Sequence, residues 1–315
     1  MSSAETQAIT AAGRPPKVAV TPSDRPWLAD AVAEGGGELC EPGRADALVW
    51  TATADPTGLL TVLEAAPGIR WVQLPWAGIE PYAEVIDDLR VWTCAKAVYG
   101  EAVAEHVLAL ILSAYRELPR YFSARTWLPG RGRNFYDQDV TVVGGGGITE
   151  AVISVLKPFR PRVTVVRRSG VEIKGADRVV GPGELHTALS TAEVVVLAVP
   201  VTPETIGLIG AEELRVMRED AWLVNVARGA HVLTDDLVDA LRSGVIAGAA
   251  LDVTDPEPLP DGHPLWGLDN CIITPHIANT FEMGRPKLIA LVAENVRRFT
   301  RGEQLLGVVD PETGY

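Results

Sequence analysis

The chain has 315 residues, a length that fits two domains better than one. Its formal net charge of −13 argues against nucleic-acid or anionic-membrane partners, because both bind basic surfaces. The three cysteines lie far apart and form no CxxC pair, which argues against a metal site and a disulfide framework. The amino terminus has no pattern of a secretion signal, so we expect a cytoplasmic protein.

Short apolar runs in the first hundred residues predict parallel strands that are covered on both faces. Helical segments such as 56–68, which ends in Pro-Gly, lie between these runs. The pattern therefore predicts a small α/β unit. Its predicted strands are 17–20, 46–50, 69–74 and 91–95.

A long apolar helix over 101–118 leads into a second alternating series, which favours a doubly wound parallel sheet. In the helix after position 233, Thr234 is the predicted N-cap and Gly244 the predicted C-cap. An amphipathic tail helix over 287–304 is expected to return to the first domain. The predicted strands of the second series are 139–144, 162–166, 193–200, 221–226, 247–253 and 271–275. The predicted domains are 1–100 with 278–315, and 101–277.

The glycine run in TVVGGGGITE, residues 141–150, lies between a predicted strand and a helical stripe over 148–159. Its spacing fits the dinucleotide fingerprint G-x-G-x-x-G at Gly144 and Gly146, with Thr149 in place of the third glycine. We predict that a pyrophosphate binds at this helix N-terminus, the alternative being a flexible glycine loop. Thr149 is expected to cost some packing between helix and sheet without removing a phosphate donor.

Two arginines, Arg167 and Arg168, follow the next predicted strand. Sites for NAD usually have an acidic residue there, which binds the ribose 2′-hydroxyl. Two guanidinium groups instead suit a 2′-phosphate. The sequence therefore predicts NADP(H) as the preferred cofactor, with NAD(H) as the alternative if these arginines are only solvated.

Three polar residues follow the last three predicted strands: Arg228, Glu257 and His276. Ligands of such sheets bind beyond the carboxyl ends of the strands. Arginine can hold a carboxylate with two parallel bonds, and histidine suits proton donation near neutral pH. A neighbouring carboxylate favours the charged imidazole and so raises its pKa. Together the three residues predict reduction of a 2-keto acid, although each alone could be an ordinary surface, loop or structural residue.

At these residues the sequence resembles the D-isomer-specific 2-hydroxyacid dehydrogenases. The resemblance implies two Rossmann-like or flavodoxin-like α/β domains with doubly wound parallel sheets, a cleft between them, a discontinuous substrate domain and a homodimer. The arginine pair resembles the NADP-preferring branch, which includes glyoxylate/hydroxypyruvate reductases. The matching segments, in family order over roughly residues 70–300, are AEHVLALIL, the glycine turn, AVPVTPETIGLI, LVNVARGAHV, GAALDVTDPEPLP, HPLW and TPHIANT.

The resemblance also implies roles for individual residues. Arg228 would bind and activate the substrate, His276 would be the acid/base, and Glu257 would pair with it. Asp252 would contact the nicotinamide carboxamide. The other residues assigned to the cofactor are Gly144, Gly146, Gly147, Ile148, Arg167, Arg168, Pro200, Thr205 and Ala227. The substrate loop comprises Trp76, Ala77 and Gly78, and a tryptophan facing the cleft would favour a small or flat substrate.

The main alternative is a nucleotide-sensing, corepressor-like binding module with little or no turnover. The intact set of arginine, glutamate and histidine favours an enzyme. Formate dehydrogenases resemble the family but pair the histidine with glutamine, so Glu257 disfavours that activity. Among the other histidines, His106 is interpreted as a packing residue of an apolar helix and His263 as a turn residue.

Overall fold

The computed structural model describes residues 14–23, 25–96 and 98–309. The chain divides into two compact units, the first formed by Met1–Tyr99 with Phe281–Tyr315 and the second by Gly100–Thr280. The strands are β1 Lys17–Thr21, β2 Glu38–Leu39, β3 Ala47–Trp50, β4 Trp71–Gln73, β5 Val91–Thr93, β6 Asp139–Val143, β7 Arg162–Val166, β8 Arg178–Val180, β9 Val194–Leu197, β10 Trp222–Asn225, β11 Gly248–Leu251 and β12 Cys271–Ile273. The helices are α1 Pro26–Glu34, α2 Pro56–Ala65, α3 Gly100–Tyr115, α4 Leu118–Ser123, α5 Gly147–Leu156, α6 Leu185–Thr191, α7 Ala211–Val216, α8 Thr234–Ser243 and α9 Phe281–Arg301. None of these described helices is long and apolar enough to cross a membrane.

The first unit contains a five-stranded parallel sheet in the order β2-β1-β3-β4-β5. This is the flavodoxin-like doubly wound order. Helix α9 packs against α1 so closely that a Cβ on Gly35 would lie 2.6 Å from Val296 Cβ. The Phe299 ring of α9 also packs on Trp71 of β4, with ring centroids 5.5 Å apart. Residues from both ends of the chain therefore build the core of this unit.

The second unit contains a seven-stranded parallel sheet in the order β12-β11-β10-β9-β6-β7-β8. The chain runs outward from β6 to β8 and then crosses to β9, so strand order reverses between β6 and β9. Central strands such as β9 are completely buried, which explains their continuous apolar sequence. In a doubly wound sheet, ligands bind beyond the carboxyl ends of the strands at this reversal.

The predicted strands are confirmed within a few residues, but β2 and β8 were not predicted. Both are edge strands of only two and three residues, so neither forms an apolar run long enough to be recognised. The predicted helix over 101–118 is also wrong at its end, because α3 stops at Tyr115. Glu117 adopts a left-handed backbone with φ of 50°, and Pro119 then opens α4.

The predicted N-cap Thr234 is wrong, whereas the C-cap Gly244 is confirmed. Helix α8 begins at Thr234 itself and Leu233 is the N-cap residue, without a side-chain cap bond. The Thr234 hydroxyl instead donates to the Asp255 carbonyl oxygen at 2.6 Å. The side chain therefore binds a distant loop and does not cap its own helix. Gly244 has a left-handed φ of 71° and donates its N–H to Ala240.

Candidate active site

The glycine turn lies at the reversal of strand order, after β6. Gly144 has a φ of 121°, and a Cβ at this position would collide with the Ala198 carbonyl oxygen, which follows β9. Its N–H donates to the Val166 carbonyl oxygen of β7 at 2.9 Å. The turn therefore connects three neighbouring strands, and only glycine suits its backbone conformation and its close approach to Ala198.

Helix α5 begins directly after this turn, with Gly146 as its N-cap residue. The first helical hydrogen bond joins the Glu150 N–H to the Gly146 carbonyl oxygen at 3.2 Å. The N–H groups of Gly147 and Ile148 belong to the first turn, where a helix supplies no acceptor of its own. The arrangement can therefore receive a phosphate group, and these residues fit the cofactor predicted for them.

Thr149, the departure from the glycine fingerprint, is fully buried in α5. Its hydroxyl donates to the Gly144 carbonyl oxygen at 2.9 Å. From the sequence, Thr149 was expected only to weaken the packing of the helix on the sheet. The structure shows in addition that its side chain fastens the helix to the glycine turn.

Arg167 and Arg168 follow β7, beside the same turn. The Arg167 side chain lies against Gly145, where a Cβ would be 2.6 Å from its Nε. The Arg168 side chain is exposed. The pKa of Glu204 is lowered, first by a hydrogen bond with Thr202 and also by the positive charge of Arg168. Two guanidinium groups thus lie at the strand end where an NAD site usually has a carboxylate.

The loop after β9 contains two other residues assigned to the cofactor, Pro200 and Thr205, and both are half-buried. The Thr205 hydroxyl donates to the Pro200 carbonyl oxygen at 2.7 Å and accepts from the Thr202 N–H at 2.8 Å. These bonds close the loop upon itself. The Thr205 side chain therefore shapes the loop in addition to any contact with a ligand.

The structure brings His276 and Glu257 into direct contact. The distance from His276 Nδ1 to Glu257 Oε1 is 2.6 Å, and the two side chains are 47% and 41% exposed. With Nδ1 bound to the carboxylate, Nε2 is the ring nitrogen that can exchange a proton with a substrate. The pair has the geometry that acid/base chemistry requires.

The backbone of His276 adopts a left-handed conformation with φ of 53°, which is uncommon outside glycine. Its N–H donates to the carbonyl oxygens of Asp252 at 2.8 Å and Thr274 at 3.0 Å. The Asp252 carboxylate accepts from the N–H groups of Ile277 and Ala278, both at 2.9 Å. Asp252 therefore holds the loop on both sides of the histidine.

Asp252 is only 1% exposed and forms a polar cluster with Thr274 and His106, which are both half-buried. The Thr274 hydroxyl donates to Asp252 Oδ1 at 2.6 Å, and His106 Nε2 lies 3.3 Å from the same oxygen. Burial raises the pKa of Asp252, but hydrogen bonds from His106, Thr274, Ala278 and Ile277 outweigh it and lower the pKa to about 2.

The interpretation of His106 as a packing residue was therefore wrong. Its Nε2 also lies 3.0 Å from the Thr274 hydroxyl, so the ring supports the loop of His276 from α3. The sequence does place a single imidazole on a largely apolar helix, directly after Glu105. His263 does lie in a turn, where its ring accepts a hydrogen bond from the Leu265 N–H.

Arg228 follows β10, the strand next to β11. Asn225, which is 1% exposed, donates to the Arg228 carbonyl oxygen at 2.9 Å and accepts from the Ala227 N–H at 3.1 Å. A Cβ on Gly229 would collide with the backbone of Thr254, so this turn packs directly on the loop after β11. Asn225 therefore shapes this turn, a role that was not predicted from the sequence.

Trp76, Ala77 and Gly78 belong to the first unit and follow β4. The Trp76 ring packs against Tyr99 and Phe281, with ring centroids 5.4 Å and 5.5 Å away. This loop is therefore stiffened by aromatic contacts within its own unit.

Comparison with known proteins agrees with this geometry. The sequence profile of the NAD binding domain of D-isomer specific 2-hydroxyacid dehydrogenases matches residues 108–278. A protein of Corynebacterium melassecola, described as an uncharacterized protein in the proB 3′ region, is 41% identical over 255 residues, covering 78% of this chain and 84% of that protein. Glyoxylate/hydroxypyruvate reductase A of Escherichia fergusonii is 32% identical over 220 residues, covering 69% of this chain and 70% of that protein.

A solved structure supports membership of the same family. The D-isomer specific 2-hydroxyacid dehydrogenase of Xanthobacter autotrophicus Py2, in complex with NADPH and MES, has a TM-score of 0.81 and 29% sequence identity. The alignment covers 96% of this chain and 100% of that one. The present chain belongs to the D-isomer specific 2-hydroxyacid dehydrogenases, a family of NAD(P)-dependent oxidoreductases that act on CH–OH groups.

Proposed function

We propose that the protein is a cytoplasmic, NADP(H)-dependent reductase of small 2-keto acids of the glyoxylate and hydroxypyruvate type. The observation that carries the proposal is the 2.6 Å contact between His276 and Glu257, on the loops next to the turn of Arg228. The name of the Escherichia fergusonii relative supports the substrate class. The corepressor-like alternative would need no such pair of acid and imidazole.

Each of the three residues has a defined task in this proposal. Arg228 binds the substrate carboxylate and polarises the neighbouring carbonyl group. His276 donates its proton from Nε2 to the carbonyl oxygen, and Glu257 stabilises the imidazolium before the transfer. When bound, NADPH supplies the hydride for the carbonyl carbon.

The preference for NADP(H) is supported by the arginines beside the glycine turn. Arg167 lies over Gly145, and Arg168 presents an exposed positive charge close enough to Glu204 to affect its pKa. The Xanthobacter relative was solved with NADPH. A 2′-phosphate would form charge-assisted hydrogen bonds with such groups, whereas the 2′-hydroxyl of NADH would gain much less from them.

The test is a panel of initial rates with NADPH and NADH on glyoxylate, hydroxypyruvate, pyruvate and phenylpyruvate. We expect turnover with NADPH and the two smaller polar acids. Arg168→Ala should raise the KM for NADPH about tenfold or more and leave that for NADH nearly unchanged. Arg178→Ala, at an exposed arginine paired with Glu184, is the matched control. No turnover with either cofactor would favour the binding-module alternative.

We also propose that the protein forms a homodimer through the segment that begins at α4. The Phe122 and Trp127 side chains are 76% and 101% exposed, which is unusual for large aromatic residues on a monomer. Four arginines in the same segment would suit an acidic partner such as a second copy of this chain. They are Arg120, Arg125, Arg131 and Arg133. Light scattering should give a dimer for the natural chain and a monomer for Trp127→Ser; a monomer for both would overturn this.

A further inference from the structure

His231 is a fully buried histidine in the second unit, at the end of the short turn Gly229–His231. Both of its ring nitrogens face backbone carbonyl oxygens. Nδ1 lies 2.8 Å from the Thr205 oxygen, and Nε2 lies 3.0 Å from the Val199 oxygen. A carbonyl oxygen can only accept a hydrogen bond, and a neutral imidazole has one N–H group. Two hydrogen bonds therefore require an imidazolium.

Two costs compete at this position. A neutral ring would donate to one carbonyl oxygen and place its bare nitrogen against the other, so that this nitrogen and this oxygen would face each other without a donor. An imidazolium loses its hydration, and among the described residues no carboxylate forms an ion pair with this ring. Two charge-assisted hydrogen bonds of good length offset that loss, and each is about twice as strong as a neutral one. The geometry therefore favours the charged ring.

The two acceptors lie at the ends of one loop, Val199–Thr205. This is the loop after β9 that contains Pro200 and Thr205, which are assigned to the cofactor. Backbone bonds continue the connection, because the Gly207 N–H donates to Ala230 at 2.8 Å and the Ile209 N–H donates to His231 at 2.9 Å. These two backbone hydrogen bonds join the segment after Thr205 to the turn of His231, but they do not reach Val199. The His231 ring makes the connection to Val199.

The same histidine also closes the turn that carries the substrate arginine. Its N–H donates to the Arg228 carbonyl oxygen at 3.3 Å. Asn225 holds that oxygen from the other side at 2.9 Å. A movement of the His231 ring would therefore act on the cofactor loop and on the Arg228 turn together.

We propose that His231 is a positioning residue: as a buried imidazolium, it joins the loop Val199–Thr205 to the turn of Arg228, so that the cofactor site and the substrate arginine form as one unit. This inference rests on the proposed function, in which the loop borders NADP(H) and Arg228 binds the keto acid. The residue touches neither ligand in the proposal. It acts through backbone carbonyl groups alone.

The protonation state can be measured without any cofactor. Nitrogen NMR of protein labelled with ¹⁵N-histidine resolves protonated from bare ring nitrogens, and the chain contains only five histidines. The His231→Gln variant identifies the signal by its loss. We expect both nitrogens of His231 to carry a proton, as the two hydrogen bonds require. A signal from a bare nitrogen would overturn the proposal.

The positioning role is tested by NADPH titration and keto-acid kinetics on His231→Leu and His231→Gln. Leucine removes both donors, and we expect a rise of about tenfold or more in the Kd for NADPH together with a higher keto-acid KM. Glutamine keeps one donor and should recover part of both. His186→Gln, at an exposed histidine paired with Glu213, is the control.

The outcomes separate this inference from the proposed function. If the natural chain binds NADPH and turns over while both folded variants match it, the positioning role is overturned. If the natural chain neither binds NADPH nor turns over, the proposed function fails, and the NMR result still decides the state of His231. Should His231→Leu fail to fold, the glutamine variant and the NMR signal keep the test decisive.

Discussion

The two halves of the seven-stranded sheet build their sites by different means. Around β6, the backbone supplies the groups: Gly144 makes the turn, and the first N–H groups of α5 face outward. Around β10 to β12, side chains supply them, with His276 bound to Glu257. The first half can be read from a short motif. The second is assembled from residues that are distant in sequence.

The residues that hold the two halves in place also differ: in the first half they are close in sequence, and in the second they are distant. Thr149 fastens the glycine turn from five residues away in the chain. The loop of His276 is held by Asp252, and Asp252 is in turn contacted by His106 of helix α3. Because that loop contains a left-handed histidine and is held by a buried carboxylate from another loop, it depends on its distant supports. Substitutions should therefore affect catalysis and stability in the second half, and mainly cofactor binding in the first.

The largest effect is expected for His276→Ala. Loss of a positioned acid/base group lowers kcat by about 10² to 10⁴-fold. The affinity for NADPH should remain close to that of the natural chain, because the glycine turn lies in the other half of the sheet. Single-turnover rates and fluorescence titration measure the two quantities separately. A variant with normal kcat would remove His276 from the mechanism.

Asp252→Asn should have the next largest effect, and it tests the supports of the second half. The amide would direct an N–H group toward backbone N–H groups such as that of Ala278, and we expect the free energy of unfolding at neutral pH to fall by about 2–3 kcal/mol. The value is measured by urea unfolding. A positioning role for Asp252 also requires a lower kcat in the folded variant.

The difference in the free energy of unfolding between the natural chain and Asp252→Asn should depend on pH in a definite direction. The pKa of Asp252 is lowered from 3.8 to about 2, so the carboxylate binds fewer protons in the folded state than in the unfolded state. Its stabilising contribution is complete above pH 3.8 and is lost as the pH falls through about 2. The gap between the natural chain and Asp252→Asn should therefore narrow in acid. A gap that is constant over this range would contradict the assignment.

The comparison also explains what the sequence could predict. Continuous apolar runs identified the buried strands, because strands covered on both faces need no polar alternation. The segments after the last three strands then indicated Arg228, Glu257 and His276 as candidates, since the carboxyl ends of parallel strands share one edge. The edge strands β2 and β8 were not predicted because runs of two and three residues are too short to be recognised.

The supporting residues could not be predicted in this way. Asn225, His106 and His231 are visible in the sequence as single polar residues, but no spacing rule states which distant group each of them binds. Their roles depend on distances to groups far along the chain, such as His106 Nε2 to the Thr274 hydroxyl at 3.0 Å. Only the assembled fold brings these atoms together.

The smallest effect is expected in the glycine half, for Thr149→Val. Valine keeps the buried shape but removes the hydroxyl that donates to Gly144 at 2.9 Å. We expect a loss of about 1 kcal/mol in the free energy of unfolding. The KM for NADPH should rise a few-fold with little change in kcat, because the turn would be held less firmly.

Two further substitutions at this position separate the hydroxyl from the bulk of the side chain. Thr149→Ser keeps the donor and should bind NADPH like the natural chain. Thr149→Gly restores the usual fingerprint but loses both the donor and the buried methyl group, so it should weaken the turn in this protein. Tighter NADPH binding by the glycine variant would mean that Thr149 is only a packing cost, as the sequence alone implied. Weaker binding would show that the hydrogen bond from Thr149 to Gly144, in place of the third glycine, holds the helix to the turn.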